Sequence, residues 1–283
     1  MSRLLPDMLS QIRWCGLTRM LVTADNILAE YWAAGLQPRR VTAQATLEGT
    51  ESLALQAAMT AVIAQLPATN WQRIEIYLAD QHVHLMLLPA IQQSGQASAL
   101  SGTELQAYAR AMLLKTYGET AVQWPLRMQD VLQSHASLLA TTPVLQNMAA
   151  QTLIAPRKYL HMSVQPYTCA LWAHSSLPAD GTVVSAEPHM LRLLHLQQGE
   201  VTHVASLVSD LAEVDSMAAW LLRERTLLGV QASACYWLSE PGCEPVAAVG
   251  RRLSQHLAGR LTWKNLYSAE AITSLWQEVA HVA

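Results

Sequence analysis

The sequence contains no phenylalanine and only three lysines, Lys115, Lys158 and Lys264. Without Phe, a core has to be filled by Leu with the 11 Met and 9 Trp, and the tryptophans fall mostly inside predicted strands and helices, as core packing requires. The shortage of lysine accompanies 18 basic against 21 acidic residues, a formal charge of −3. That balance leaves no basic stripe to neutralise phosphates, so no nucleic acid is expected as a partner. No apolar run approaches the ~18 residues of a membrane span. The most apolar stretch, 84–90, is short and contains Pro89. The start, MSRLLPDMLSQIRWCG, has no apolar stretch of signal-peptide length. Residues 4–14 suit a short amphipathic helix with Leu4, Met8, Leu9 and Ile12 near one face, too weakly charged for a membrane surface. A cytoplasmic location follows as the expectation.

Catalytic and metal signatures are missing too. The four cysteines, Cys15, Cys169, Cys235 and Cys243, form no CxxC pair. Zinc sites favour close-spaced pairs. Cys235 and Cys243 with a nearby His are a conceivable ligand set, but buried reduced thiols are the simpler reading. His82 and His84, two apart on an expected strand, lack a third ligand and read as an exposed or edge-facing pair. No metal site is assigned. The sequence has no GxxxxGK[ST], GxGxxG, GxSxG or HExxH. Glu187 with His189, or Glu213 with Asp215, form acid/base pairs only on sequence proximity, and solvated turn and helix-face residues are the simpler reading. The run Arg223-Glu224-Arg225 likewise reads as a solvated helix face. No catalytic residue is assigned.

What is present is a chain of 283 residues, half of them apolar, long enough for two compact units. Three short strands are expected over 17–46, with a turn at Ala24-Asp25-Asn26. A helix follows, capped by Thr50, with Leu55, Met59, Val62 and Leu66 in helical phase and closed by Pro67. Residues 73–79 and 82–90 read as a hairpin turning at Asp80-Gln81. Ser101 and Glu104 form a capping box for a helix ended by Gly118. Two strands near 123–129 and 135–142, a helix over 143–154, a strand over 159–165 and a helix over 166–175 come next. After Asp180-Gly181 the pattern restarts: three strands over 182–207, a helix over 210–228 stopped by Gly229, a strand over 230–238, a turn at Ser239-Glu240-Pro241-Gly242, a helix over 245–258, a strand near 260–263 and a helix over 268–280. The order β-β-β-α-β-α thus occurs twice, as mixed sheets with helices on their faces.

The segments MAAQTLIAPRKYLHMSVQPYTCALWAHSS, TVVSAEPHMLRLLHLQQGEVTHVASL and YLADQHVHLMLLPA with the following YGETAVQWPLRM resemble PilM of type IV pilus assembly and the cytoplasmic domains of GspL in type II secretion. The resemblance spans most of 16–258. It implies an α/β, actin-like (RNase H-like) fold: two mixed-sheet halves around a cleft. Expected limits are an extension over 1–15, a first half with an inserted subdomain over 16–165, and a second half over 166–283. Actin-like ATPases bring main-chain N–H groups close to phosphates, which takes glycine, and hold Mg²⁺ through carboxylates. Here the first turn is Thr23-Ala24-Asp25-Asn26-Ile27, without glycine. The second is Ser185-Ala186-Glu187-Pro188-His189, where Pro188 lacks an N–H. The third carries only Gly242 in place of a glycine pair.

All three departures point to a fold kept without its nucleotide, so no cofactor is expected; if nucleotide binds, Asp25, Glu187 and Gly242 are the residues placed for it. The resemblance implies a non-catalytic scaffold beneath a pilus or type II secretion-like assembly platform. Its partner would be a segment of an inner-membrane assembly protein, bound in a groove between subdomains or by adding to a sheet edge, around the first hairpin and the strands of 17–46. A divergent ATPase or sugar-kinase-like phosphotransferase is the alternative. The charged fraction of 14% also permits a homo-oligomer.

Overall fold

The computed structural model describes residues 15–23, 25–35, 39–47, 52–67, 72–88, 102–124, 126–130, 137–141, 159–173, 175–187, 190–208, 212–230, 234–239 and 244–267. The expected helices over 143–154 and 268–280, the caps Thr50 and Ser101, and residues 240–242 of the turn expected from Ser239 lie outside these residues. The chain divides into two compact units, Met1–His82 with Val144–Tyr167, and Val83–Pro143 with Thr168–Ala283.

In the first unit, β1 (Gly16–Val22), β2 (Asn26–Trp32) and β3 (Arg40–Thr46) form an antiparallel meander. Strands β4 (Gln72–Leu78) and, numbered in chain order, β8 (Tyr159–Pro166) add in parallel, giving the order β3-β2-β1-β4-β8. Alternation fixes the faces. Thr18, Met20 and Val22 stand beside Ile74, Ile76 and Leu78 and opposite Tyr31, Ala29 and Ile27, and all nine are buried. The other face carries Arg19, Glu30 and Glu75 in one row across the strands. Helix α1 (Ser52–Gln65) lies against β2 and β3 and buries Leu55, Met59 and Val62.

The second unit repeats this plan. Strands β9 (Gly181–Glu187), β10 (Met190–Gln197), β11 (Glu200–Val208), β12 (Cys235–Ser239) and β13 (Trp263–Tyr267) have the order β11-β10-β9-β12-β13, strand for strand that of the first sheet. The β10–β11 connection is the tight one that Gln198-Gly199-Glu200 requires: Gln198 and Gly199 take φ of 54° and 80°, the left-handed pair of a two-residue hairpin. Also in this unit are β5 (His84–Leu88), β6 (Leu126–Asp130) and β7 (Ser137–Thr141), a small sheet of order β5-β7-β6. Helix α2 (Gly102–Tyr117) packs Ala109 and Leu113 against Leu88 and Ala121 there, and Gly118 ends the helix at φ 85°. The remaining helices are α3 (Tyr167–Ala173), α4 (Val214–Leu227) and α5 (Glu244–His256).

Two expectations are corrected here. The hairpin over 73–90 does not form: β4 is flanked by β1 and β8, so it has no free edge for β5, which pairs with β7 instead. The Arg223-Glu224-Arg225 run is not a solvated face. Arg223 is exposed, but Glu224 and Arg225 are buried, in phase with Met217 and Leu221 on the packed side of α4. Arg225 donates to Thr182 Oγ1 at 3.1 Å and to the Val230 carbonyl at 2.9 Å, and Glu224 accepts from Arg223 at 2.9 Å. Of the cysteines, Cys235 is buried as expected, with burial pushing its thiol up to about 12, whereas Cys15 and Cys169 are half-buried and Cys243 lies outside the described residues.

Two stability predictions follow from these contacts. Replacing Arg225 with Met removes its hydrogen bonds to Thr182 and Val230 and is expected to cost about 2 kcal/mol, measured by urea unfolding. Gly250 of α5 admits no side chain, since a Cβ there would stand 2.5 Å from Trp237 Nε1. Gly250→Ala, a change that ordinarily strengthens a helix by about 1 kcal/mol, is therefore expected to destabilise by ~1–3 kcal/mol through overpacking, read in the same assay.

Candidate functional site

The turns that join the first two strands of each sheet are where the sequence placed its candidate carboxylates. In the first unit the β1–β2 turn closes on itself. The Thr23 N–H donates to the Asn26 carbonyl at 2.9 Å, and the Asn26 N–H donates to Thr23 Oγ1 at 3.1 Å. The Thr23 hydroxyl donates in turn to the Asn26 carbonyl at 3.0 Å. The Asp25 carbonyl accepts the Leu47 N–H at 2.6 Å, tying the turn to the end of β3, while the neighbouring Val22 carbonyl accepts the Ala79 N–H at 2.9 Å.

His82 completes the closure. It lies in a 3-10 turn (Asp80–His82) directly after β4 and is buried, so its expected place beside His84 on an exposed or edge-facing strand surface is overturned. Its Nε2 stands 2.8 Å from the Thr23 carbonyl. A carbonyl only accepts, so Nε2 carries the proton. Burial holds the ring below its ordinary pKa, an effect the Thr23 bond partly offsets, and this favours the neutral form. His84 has a separate fate in β5, its ring centroid 4.7 Å from that of Tyr117 and 5.1 Å from that of Trp124.

Asp25 is exposed on the turn. Glu187 is buried at the end of β9, opposite Met190, and is not the solvated turn residue expected. The reason is that every residue of β9 is buried, so neither face of the strand meets solvent. Asp25 belongs to one compact unit and Glu187 to the other; Gly242 and His189 lie outside the described residues. Glu213 and Asp215 are exposed, as expected. In the second unit, buried Arg192 of β10 donates to the Val83 carbonyl at 3.0 Å and to Ser206 Oγ at 2.5 Å. It thereby fastens the chain entering β5 to the sheet.

A nucleotide-binding turn of this architecture needs main-chain donors directed at phosphate. At the first turn, the N–H groups of Thr23 and Asn26 are already engaged within the turn, and at the second, Pro188 has no N–H to offer. Among the described residues no group of three or more His, Cys, Asp and Glu is arranged to hold a metal ion. No described helix is long and apolar enough to cross a membrane.

Two five-stranded mixed sheets of identical order, each an antiparallel meander extended by parallel strands, define the actin-like ATPase fold, and the chain has that fold. It is similar over 98% of each chain to a protein of actin-like ATPase fold and unknown function from Bacteroides thetaiotaomicron VPI-5482, at TM-score 0.56 and 9% identity. It is also similar to a chain of the PilM–PilN type IV pilus biogenesis complex, at TM-score 0.52 and 11% identity, over 93% of this chain and 94% of that one. The cytoplasmic domain of EpsL, an inner-membrane component of the Vibrio cholerae type II secretion system, aligns at TM-score 0.49 and 11% identity over 95% of each chain. No family model matches the sequence, and no curated protein matches it.

The buried imidazoles set a pH dependence. His82 and His195 are both held below their ordinary pKa, first by burial and, for His195, also by the nearby Arg225. The unfolded chain therefore binds protons that the fold refuses. Stability is complete above the unfolded pKa of about 6.5 and is lost as pH falls through that value towards the folded pKa. The melting temperature is expected to fall between about pH 7 and pH 5, and His82→Gln, which can still donate to Thr23, is expected to flatten that slope in a series of thermal melts.

Proposed function

We propose that this chain is a non-catalytic cytoplasmic scaffold of a type IV pilus or type II secretion-like assembly platform, which binds a short segment of an inner-membrane assembly protein. The observation that carries the reading is the glycine-free Thr23–Asn26 turn, in which the N–H groups of Thr23 and Asn26 bond within the turn itself. The fold it shares with a chain of the PilM–PilN complex supports the choice of machine and of partner class. The partner is taken to hold the protein at the membrane, so the scaffold itself supplies a recognition surface and no span.

The competing reading is a divergent ATPase or phosphotransferase, with Asp25 and Glu187 on the metal side and Gly242 under the base. Thermal unfolding with and without Mg-ATP separates the two. A ligand at 100 times its dissociation constant stabilises a fold by about 2.7 kcal/mol. The scaffold reading expects no shift at millimolar Mg-ATP, together with recovery of the inner-membrane assembly protein encoded beside this chain in a pull-down. A saturable shift with Mg-ATP would replace the scaffold by the enzyme.

A further inference from the structure

We propose that the outer edge of β3 binds an extended acidic segment of a partner protein by strand addition. This rests on the scaffold reading for the partner being a protein, and adds to it the face and the chemistry.

The geometry starts from the register of β2 and β3, in which Trp32 faces Arg40 and Asn26 faces Thr46. The Ala33 N–H donates to the Arg39 carbonyl, and the Leu47 N–H donates to the Asp25 carbonyl. In an antiparallel ladder, hydrogen-bonded and non-hydrogen-bonded pairs alternate. Positions 41, 43 and 45 therefore turn their main-chain groups towards β2, and positions 40, 42, 44 and 46 turn theirs outwards. An independent contact agrees: the Gln44 carbonyl accepts Gln65 Nε2 from the end of α1 at 3.1 Å, on the side away from β2. β3 ends the strand order, and no strand among the described residues pairs with that side. The outward groups of Thr42 and the outward N–H of Gln44 are thus set in strand geometry, a template for one more strand.

Charge selects the occupant. Arg39 and Arg40 are exposed at the start of this edge. The carboxylate that Arg40 meets, Glu30 at 2.9 Å, is almost wholly covered, with its side chain 1% exposed against 41% for the arginine. The same order recurs along the face. Glu75 is 11% exposed beneath Arg19 and Arg73, each 2.9 Å from it, with Arg73 53% exposed and Arg19 lying 5.3 Å from the Trp32 ring centroid. Carboxylates lie inside and guanidinium groups outside on this face, and a strand arriving along β3 meets the exposed Arg39 and Arg40 at its edge. A second copy of this chain would bring the same arginines to the same edge, whereas a segment carrying Asp or Glu at alternate positions presents carboxylates to one face of the lengthened sheet.

The test is fluorescence anisotropy of the full chain with a labelled peptide alternating Val and Glu. Its counterpart alternating Val and Lys, and vesicles of phosphatidylcholine with phosphatidylglycerol, serve as the other arms. Saturable binding of the acidic peptide alone is expected. Arg39→Glu should weaken it about tenfold, roughly 1.4 kcal/mol. Thr42→Pro should abolish it, because proline removes an N–H that points away from β2 and so costs no existing ladder bond; unchanged thermal melts are the check that both variants fold. Absence of binding by the acidic peptide, equal binding by Thr42→Pro, or equal binding to the anionic vesicles overturns the proposal. Recovery of the inner-membrane protein in the pull-down despite Thr42→Pro also overturns it, while leaving the scaffold reading intact.

Discussion

A main-chain N–H can serve only one strong acceptor at a time, and in the β1–β2 turn those of Thr23 and Asn26 are already committed. The functional reading depends on this constraint. In an actin-like body, the turn between the first two strands can hold an anion only if its amides face outwards, which is why such turns use glycine and short polar residues. Here Thr23 gives its N–H and its hydroxyl to the turn's own closure, and its carbonyl accepts a neutral donor, His82, from the element that follows β4. Opening the turn towards a phosphate would give up these bonds and strand polar groups in a buried environment. The sheet around the turn is otherwise built as the fold demands, with one face of nine buried side chains, eight of them hydrophobic, and an ion-paired opposite face.

Much of the fold is legible in the amino-acid order. Three strands, a helix and a further strand recur from residue 17 and from residue 182, and the two sheets adopt the same strand order. The signals are local: Gly118 and Gly229 stop helices in left-handed conformations, and Gln198-Gly199 makes a hairpin. The misreadings come where a local signal competes with a non-local one. Asp80-Gln81 looks like a hairpin turn, yet β4 has a neighbour on each side and cannot accept β5. Three charged residues in a row look solvated, yet Arg225 falls four residues beyond Leu221 and eight beyond Met217, the phase of the packed stripe. That phase was available in the sequence and outweighs the charge run.

The site was legible in part. The absence of glycine from Thr23-Ala24-Asp25-Asn26 and the presence of Pro188 are sequence facts. The closure of the first turn by Thr23 Oγ1 and by His82 is not, because His82 lies 59 positions from Thr23 and meets it only once β1 and β4 pair in parallel. Glu187 was misplaced for a related reason: a carboxylate at a strand end next to a proline reads as solvated, but β9 is buried along its whole length.

The central claim is that the Thr23 and Asn26 amides are engaged within the turn and do not meet phosphate. An amide-resolved NMR titration with Mg-bound adenylyl imidodiphosphate, a non-hydrolysable ATP analogue, examines those two groups directly. The account predicts that both amides are protected from solvent exchange in the free protein and that their resonances stay in place as the analogue is added. Saturable movement of the Thr23 and Asn26 resonances would contradict it.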